Sequence, residues 1–297
     1  MQIFEGQNLL EFIEHFQTNE DCKKYLSHFK WYKGYACIKC GHMGYQIRKD
    51  YSRTCNKCSH TESSTANTLF HKVKFGIRKA FFICYEMATS TKSLSANYVE
   101  KRYGITEKTA RLFMHKVREA MKSSEQYLMN HQVQVDEFVV GGKEENKPGR
   151  SYDSNKHKAV CALELTEDKK VKRMYAMKID NFSAKELRQI FDKHIDKRAE
   201  IATDGWKAYR PISKDYKIEQ IPSEKGNNFA ILHTMIHQIK SWIRTTYSHV
   251  NSFHLNRYFN EFCYRLNRSQ NKRNVFNNLI RRMVTSEKVY QADLICT

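Results

Sequence analysis

Two cysteine pairs, Cys37-Ile38-Lys39-Cys40 and Cys55-Asn56-Lys57-Cys58, are separated by fourteen residues. Knuckles of this form at this separation suit a tetrahedral zinc ion held by Cys37, Cys40, Cys55 and Cys58, a structural ion for a stretch too small to build its own core. The plainer reading is a cluster of free thiols. Asp136 stands inside an apolar run, Val133 to Val140, where a charge is costly unless it is used. Asp204 follows Glu200-Ile201-Ala202-Thr203 and precedes Gly205, a place where α/β sheets gather ligands. The two carboxylates could converge on metal ions; each could also be an ordinary turn or cap aspartate. Further on, His233, His237, Lys240 and Arg244 recur at spacings of four, three and four, opposite Leu232, Ile236, Ile239 and Ile243. That pattern reads as a helix with a core stripe and a working stripe, His237 near metal and Lys240 and Arg244 on phosphates. A solvated basic face would look the same.

The elements that must carry these groups follow from periodicity. Residues 7–17 have helical spacing, and Asn19-Glu20-Asp21 opens a second helix. Residues 64–124 read as helical, with a helix-turn-helix rhythm from Ser93 to Arg111 and Thr106 as an N-cap. Twelve Lys/Arg against four Asp/Glu between residues 69 and 124 make it a plausible DNA-docking element, with Lys108 and Arg111 on its second helix. A helical hairpin with a charged face is the plainer alternative. After His131 the pattern turns to strands: 132–140, 158–165 and 171–177, then a helix capped by Ser183, a strand at 200–203, another near 217–221 and a long helix from about 229 to 247. The order βββαβα is that of an RNase H-like domain, in which the first and fourth strands are neighbours. The expected class is therefore α/β (α+β), divided as 1–62 (helix plus ribbon), 63–128 (helical) and 129–297 (catalytic, with basic C-terminal helices).

Composition supports a polyanionic partner. The 297 residues carry 51 Lys+Arg against 32 Asp+Glu, a net charge of +19. Between residues 240 and 282 there are nine Lys/Arg and one Asp/Glu, with Arg265 and Arg268 among them and aromatic residues interleaved. Hydrophobic residues at 40% and only three prolines exclude a disordered or collagen-like chain. No apolar run approaches the ~20 residues of a membrane span, and the first residues lack the pattern of a signal peptide, so an intracellular protein is expected. In a reducing compartment the nine cysteines are not read as disulfides.

The chain resembles the ISXO-like DDE-type insertion-sequence transposases that open with a zinc ribbon. The likeness rests on the four knuckle cysteines, Lys108-Thr109-Ala110-Arg111, Val135-Asp136-Glu137-Phe138-Val139-Val140-Gly141-Gly142-Lys143, Thr203-Asp204-Gly205-Trp206-Lys207-Ala208-Tyr209, and a tail running from His254 to Arg268. It implies Asp136 and Asp204 as two members of a metal-binding triad. Where many relatives carry the third acid, this chain reads Met235-Ile236-His237, and His237 is taken as the third ligand. Glu137 and Glu224 are reserve carboxylates. The resemblance further implies a structural Zn²⁺, two catalytic Mg²⁺ or Mn²⁺ ions, double-stranded DNA as partner, a homo-oligomer on DNA, no membrane, and a bacterial cytoplasmic location. Imidazole suits Mn²⁺ better than Mg²⁺. The chemistry would be hydrolysis to free a 3′-OH and attack of that 3′-OH on a target strand. The alternative is a catalytically silent, transposase-derived DNA-binding regulator.

Overall fold

The computed structural model describes residues 2–142 and 156–295. The chain divides into two compact units, Met1–Met121 with Arg268–Thr297, and Lys122–Asn267.

The first unit is helical around an aromatic core. Helices α1 (Leu9–His15) and α2 (Asn19–Lys30) start at Asn8 and Thr18, whose side chains accept backbone N–H groups of the first turn; at Thr18 the Asp21 carboxylate completes a capping box. A small antiparallel sheet follows, β1 (Tyr45–Ile47), β2 (Arg53–Cys55) and β3 (Thr61–Glu62). Then come α3 (Ile77–Thr89), α4 (Ala96–Tyr103) and α5 (Glu107–Met121). Gly104 ends α4 in the left-handed region (φ 57°), a conformation that costs glycine little and lets the chain reverse into α5. The segment beyond residue 267, carried in the sequence reading with the third region, packs here. Its helix, Val275–Thr285, has Phe276, Leu279, Ile280 and Met283 on one face, and Phe276 meets the rings of Phe4, Phe12, Phe16, Tyr25 and Phe81. A buried polar loop joins the pieces: Tyr25 donates to Asn277, Asn277 to the Phe4 carbonyl, and the Phe4 N–H to the Tyr25 hydroxyl.

The second unit is one mixed sheet covered on both faces. Strands β4 (Gln132–Val140), β5 (His157–Leu165) and β6 (Val171–Ile179) are antiparallel; β7 (Glu200–Thr203) and β8 (Ile218–Gln220) are parallel to β4. The spatial order is β6-β5-β4-β7-β8, so the first strand of the unit lies at its centre beside the fourth. Helix α6 (Ala184–His194) packs on one face through Leu187, Ile190 and Phe191, against Val133, Val135, Val160 and Ala162. Helices α7 (Ala230–Thr246) and α8 (Leu255–Leu266) cover the other, against Phe138, Val140, Cys161 and Leu163. Residues of β4 alternate between the two cores, as a period of two requires. In chain order α9 (Val275–Thr285) then closes the first unit. At the sheet end distant from Asp136, buried Glu164 is held by Arg173, Lys172 and the backbone N–H groups of Asn130 and His131. None of the helices among the described residues is long and apolar enough to cross a membrane.

Candidate metal centres and nucleic-acid surfaces

Strand register sets the geometry of the acidic site. Val135 pairs with Thr203 in the parallel ladder β4–β7, so Asp136 and Asp204 occupy the next positions of adjacent strands. Asp204 leaves β7 in a turn closed by its own carboxylate, which accepts the Trp206 N–H at 3.0 Å. Glu137 is buried and, by the alternation of β4, lies toward the α6 side of the sheet, where burial and then the charge of Glu137 raise the Tyr209 hydroxyl. Nevertheless, one oxygen from each of Asp136, Glu137 and Asp204 lies within 4.8 Å of the others. Three carboxylates that close repel one another unless a cation or protons intervene. Burial, then the charge of Asp204, raises the Asp136 carboxyl above its ordinary value, against the lowering effect of the Glu137 N–H and of His233. Hard oxygen donors gathered this way fit Mg²⁺ or Mn²⁺.

Helix α7 supplies the wall opposite. Leu232, Met235, Ile236, Ile239, Trp242 and Ile243 face the core, and the His/Lys/Arg stripe faces outward as its spacing requires. His233 Nε2 lies 3.1 Å from Asp136 Oδ2. His237, a turn further on, is exposed; it lines the same cavity of about 270 Å³ as Asp136, Glu137, His233 and Lys240. The histidine brought into contact with Asp136 is thus His233. Its signal was present in the sequence, since it shares the arc with His237, but the arc alone does not say which turn meets β4. Gly226 makes room for it. With φ +98° and an ideal Cβ only 2.6 Å from His233 Nδ1, that position excludes a side chain. Glu137 joins the acidic group, whereas Glu224 begins a 3₁₀ segment outside it.

A second, basic cavity of about 640 Å³ shares His237 and Lys240 with the first and adds Lys156, Arg244, His249 and Tyr247. Burial, then the charges of Lys156 and Arg244, pushes the Lys240 ammonium below its usual range. Of the other expected DNA contacts, Lys108 and Arg111 are exposed on α5. Arg265 is mostly buried, stacked on Trp242 with its guanidinium 5.0 Å from the ring and 3.7 Å from Glu261, so it serves packing. Arg268 is half-buried at the start of the C-terminal segment of the first unit. Lys143, quoted for the resemblance, lies outside the described residues.

The four cysteines close the ribbon. Cys37 Sγ lies 3.6 Å from Cys58 Sγ, and Cys40 Sγ 3.6 Å from Cys55 Sγ. Thiolates at the corners of a Zn–S tetrahedron with 2.3 Å bonds stand about 3.8 Å apart, so the set fits zinc as it is. Burial raises the Cys37 thiol, but N–H groups of Lys39 and Cys40 and the neighbouring thiols outweigh it and bring it down to about 6. Cys55 is lowered in the same way, its burial outweighed by the N–H groups of Cys58 and Lys57. Trp31, Tyr35 and Tyr45 pack beneath the knuckles, and the Arg53 guanidinium sits 4.0 Å from the Tyr45 ring centre. Lys30 pairs with buried Glu62 at 2.7 Å. Some of the ribbon's basic residues are thus spent on its own fold.

No curated protein matches the chain. Residues 128–267, the second unit almost residue for residue, match the family described as the ISXO2-like transposase domain. The chain thus carries an ISXO2-like transposase domain over residues 128–267, and the acidic site lies within it.

Proposed function

We propose that this protein is a DNA transposase that cuts strands at the ends of an insertion element and joins the freed 3′-OH to a target. The carrying observation is the grouping of Asp136, Glu137 and Asp204 within 4.8 Å, where β7 ends beside the middle of the parallel strand β4 in the family domain. The strand order, with three antiparallel strands followed by two parallel ones, supports an RNase H-like reading of that domain. Helices α4 and α5, joined through Gly104 with Lys108 and Arg111 exposed, support a helix-turn-helix role in docking duplex DNA, with the zinc ribbon beside them in sequence.

Asp136, Asp204 and Glu137 would hold divalent metal, with His233 or His237 contributing a nitrogen; bound there, metal supplies nucleophile activation and leaving-group stabilisation. The chain's own residues do the rest. Lys240, Arg244 and Lys156 bind and orient the strand through its phosphates. His233 fixes the orientation of Asp136. Hydrolysis breaks one P–O3′ bond and leaves a 3′-OH and a 5′-phosphate. In transfer, that 3′-OH oxygen forms a bond to a target phosphorus while the target's P–O3′ bond breaks. A homo-oligomer on DNA, acting in the bacterial cytoplasm, completes the reading.

The test is cleavage and strand transfer by the full chain on end-containing duplex DNA, in Mg²⁺ and in Mn²⁺. Wild type should cut, and Asp136→Asn and Asp204→Asn should bind the same DNA without cutting. Wild type that binds and never cuts in either metal would make this a silent regulator, the reading that a histidine in the place of the third acid, His237, favours.

A further inference from the structure

The first unit holds a cavity of about 620 Å³ that the transposase chemistry leaves unused. It lies between the turn at residues 71–75, one face of α5 and the C-terminal segment 289–294. Its lining is of two kinds. Phe75, Phe113 and Tyr290 offer aromatic rings, with Phe75 and Phe113 edge-to-face at 5.3 Å and Tyr290 48% exposed. Lys72, Lys74 and Lys116 offer ammonium groups, and no Asp or Glu is among the described residues that line it. Lys116 is half-buried and donates to the His71 carbonyl at 3.1 Å, which aims a cation along the wall. Lys72 and Lys74 are exposed on the turn. The local field is strongly positive: after burial, the charges of Lys288, Lys72, Lys116 and Lys30 all lower the His71 imidazole.

Apolar rings beside a set of unopposed ammonium groups match a flat, aromatic ligand that carries negative charge. Duplex DNA can offer its phosphates to such a place, but its bases are stacked away from the rings. Only a strand whose base is free of the stack presents both a π-face and a phosphate at once. We infer that this cavity is a single-strand DNA subsite, taking one unpaired base against Tyr290 and Phe75 and its flanking phosphates on Lys72, Lys74 and Lys116. The inference rests on the proposed function for its choice of DNA, and it places a second strand contact in the first unit. A transposase handling frayed or nicked ends would hold the displaced strand there.

The experiment uses the full chain, a short labelled thymidine oligonucleotide and a labelled mixed-sequence duplex, each titrated by fluorescence anisotropy across a salt series. Tyr290→Ala should weaken single-strand binding about tenfold, the typical loss for one stacked base, and leave duplex binding unchanged. Lys74→Ala should reduce the salt slope for the single strand by about 0.7, the effect of one lost phosphate contact. Both positions are exposed, and circular dichroism checks that the variants are folded. An oligonucleotide bearing 5-iodouracil should crosslink to Tyr290 or Phe75, mapped by mass spectrometry on the wild-type chain. Wild-type single-strand affinity in both variants, or crosslinks only outside the cavity, overturns the inference while duplex binding leaves the proposed function standing. Failure to bind DNA of either kind overturns both.

Discussion

Val135 and Thr203 are partners in the parallel ladder between β4 and β7, and this one pairing sets Asp136 beside Asp204. The strands lie about 4.8 Å apart. Asp136 lies in the middle of β4 and Asp204 just past the end of β7, each one residue beyond a shared rung, so the ladder itself holds their backbones side by side. Their proximity is therefore built into the backbone rather than chosen by rotamers.

Asp136 carries a burial penalty that the fold does not relieve by itself. Its carboxyl is raised, so the folded state holds its proton more tightly than the unfolded chain does. The folded protein then loses relative stability as pH rises past the unfolded aspartate range. Without divalent metal, Asp136→Asn should have a higher urea midpoint than wild type at neutral pH. Adding Mn²⁺ should raise the wild-type melting temperature and shift the variant much less. Equal midpoints, and equal responses to metal, would show that Asp136 is no part of a cation site.

The two histidines of α7 should differ. His233 touches Asp136 and His237 does not. His233→Ala should reduce metal-dependent cleavage by about 10–100-fold, the usual scale for an outer partner of a metal ligand or more. His237→Ala should cost less than that. The reverse order would place the nitrogen ligand at His237, as the sequence reading had it. Gly226→Ala should mimic the His233 variant in part, because its Cβ would meet the imidazole at 2.6 Å. Single-turnover cleavage with each variant measures all three.

Zinc should be a structural requirement of the ribbon. Protein purified without added metal should contain about one Zn per chain. A strong chelator, or Cys55→Ser, should release the ion and expose Trp31, which packs beneath the knuckles. Tryptophan emission would shift to the red as the readout. Zinc content well below stoichiometric in a folded ribbon would reject the site.

His194 predicts an acid limb in the stability curve. Burial, with a smaller push from Lys193, lowers its imidazole to about 4, and the ring stacks on Tyr175 at 4.1 Å. Between its unfolded value near 6.5 and about 4, the unfolded state binds the extra proton. Stability is thus lost as pH falls through that window, by about 3 kcal/mol at most. His194→Phe should flatten this limb while keeping the stack. Urea melts at a series of pH values from neutral to acid decide it; an unchanged slope in the variant would assign the loss to other groups.

Much of this was legible in the residues. The knuckle cysteines point to zinc by type and spacing, because zinc coordination is short-range and tolerates few arrangements. The strands, with Asp136 in the first and Asp204 after the fourth, follow from a period of two and from Gly205, and the stripe of α7 from a period of 3.6. What periodicity cannot supply is the phase of one element against another. A helix repeats its face every turn, so His233 and His237 are equivalent until packing of Ile236 and Ile239 on the sheet chooses the turn that meets Asp136. Glu137, on the opposite pleat from Asp136, enters the acidic group where β7 ends beside the middle of β4. Arg265 was read from its charge, but the ring of Trp242 and the carboxylate of Glu261 draw it inward. And α9, basic by sequence, is bound into the first unit by Phe276 and Asn277, through contacts more than 250 residues away along the chain. Local propensity and ligand chemistry are properties of short segments; phase, facing and closure depend on how distant segments bury their surfaces together, and only the tertiary structure resolves them.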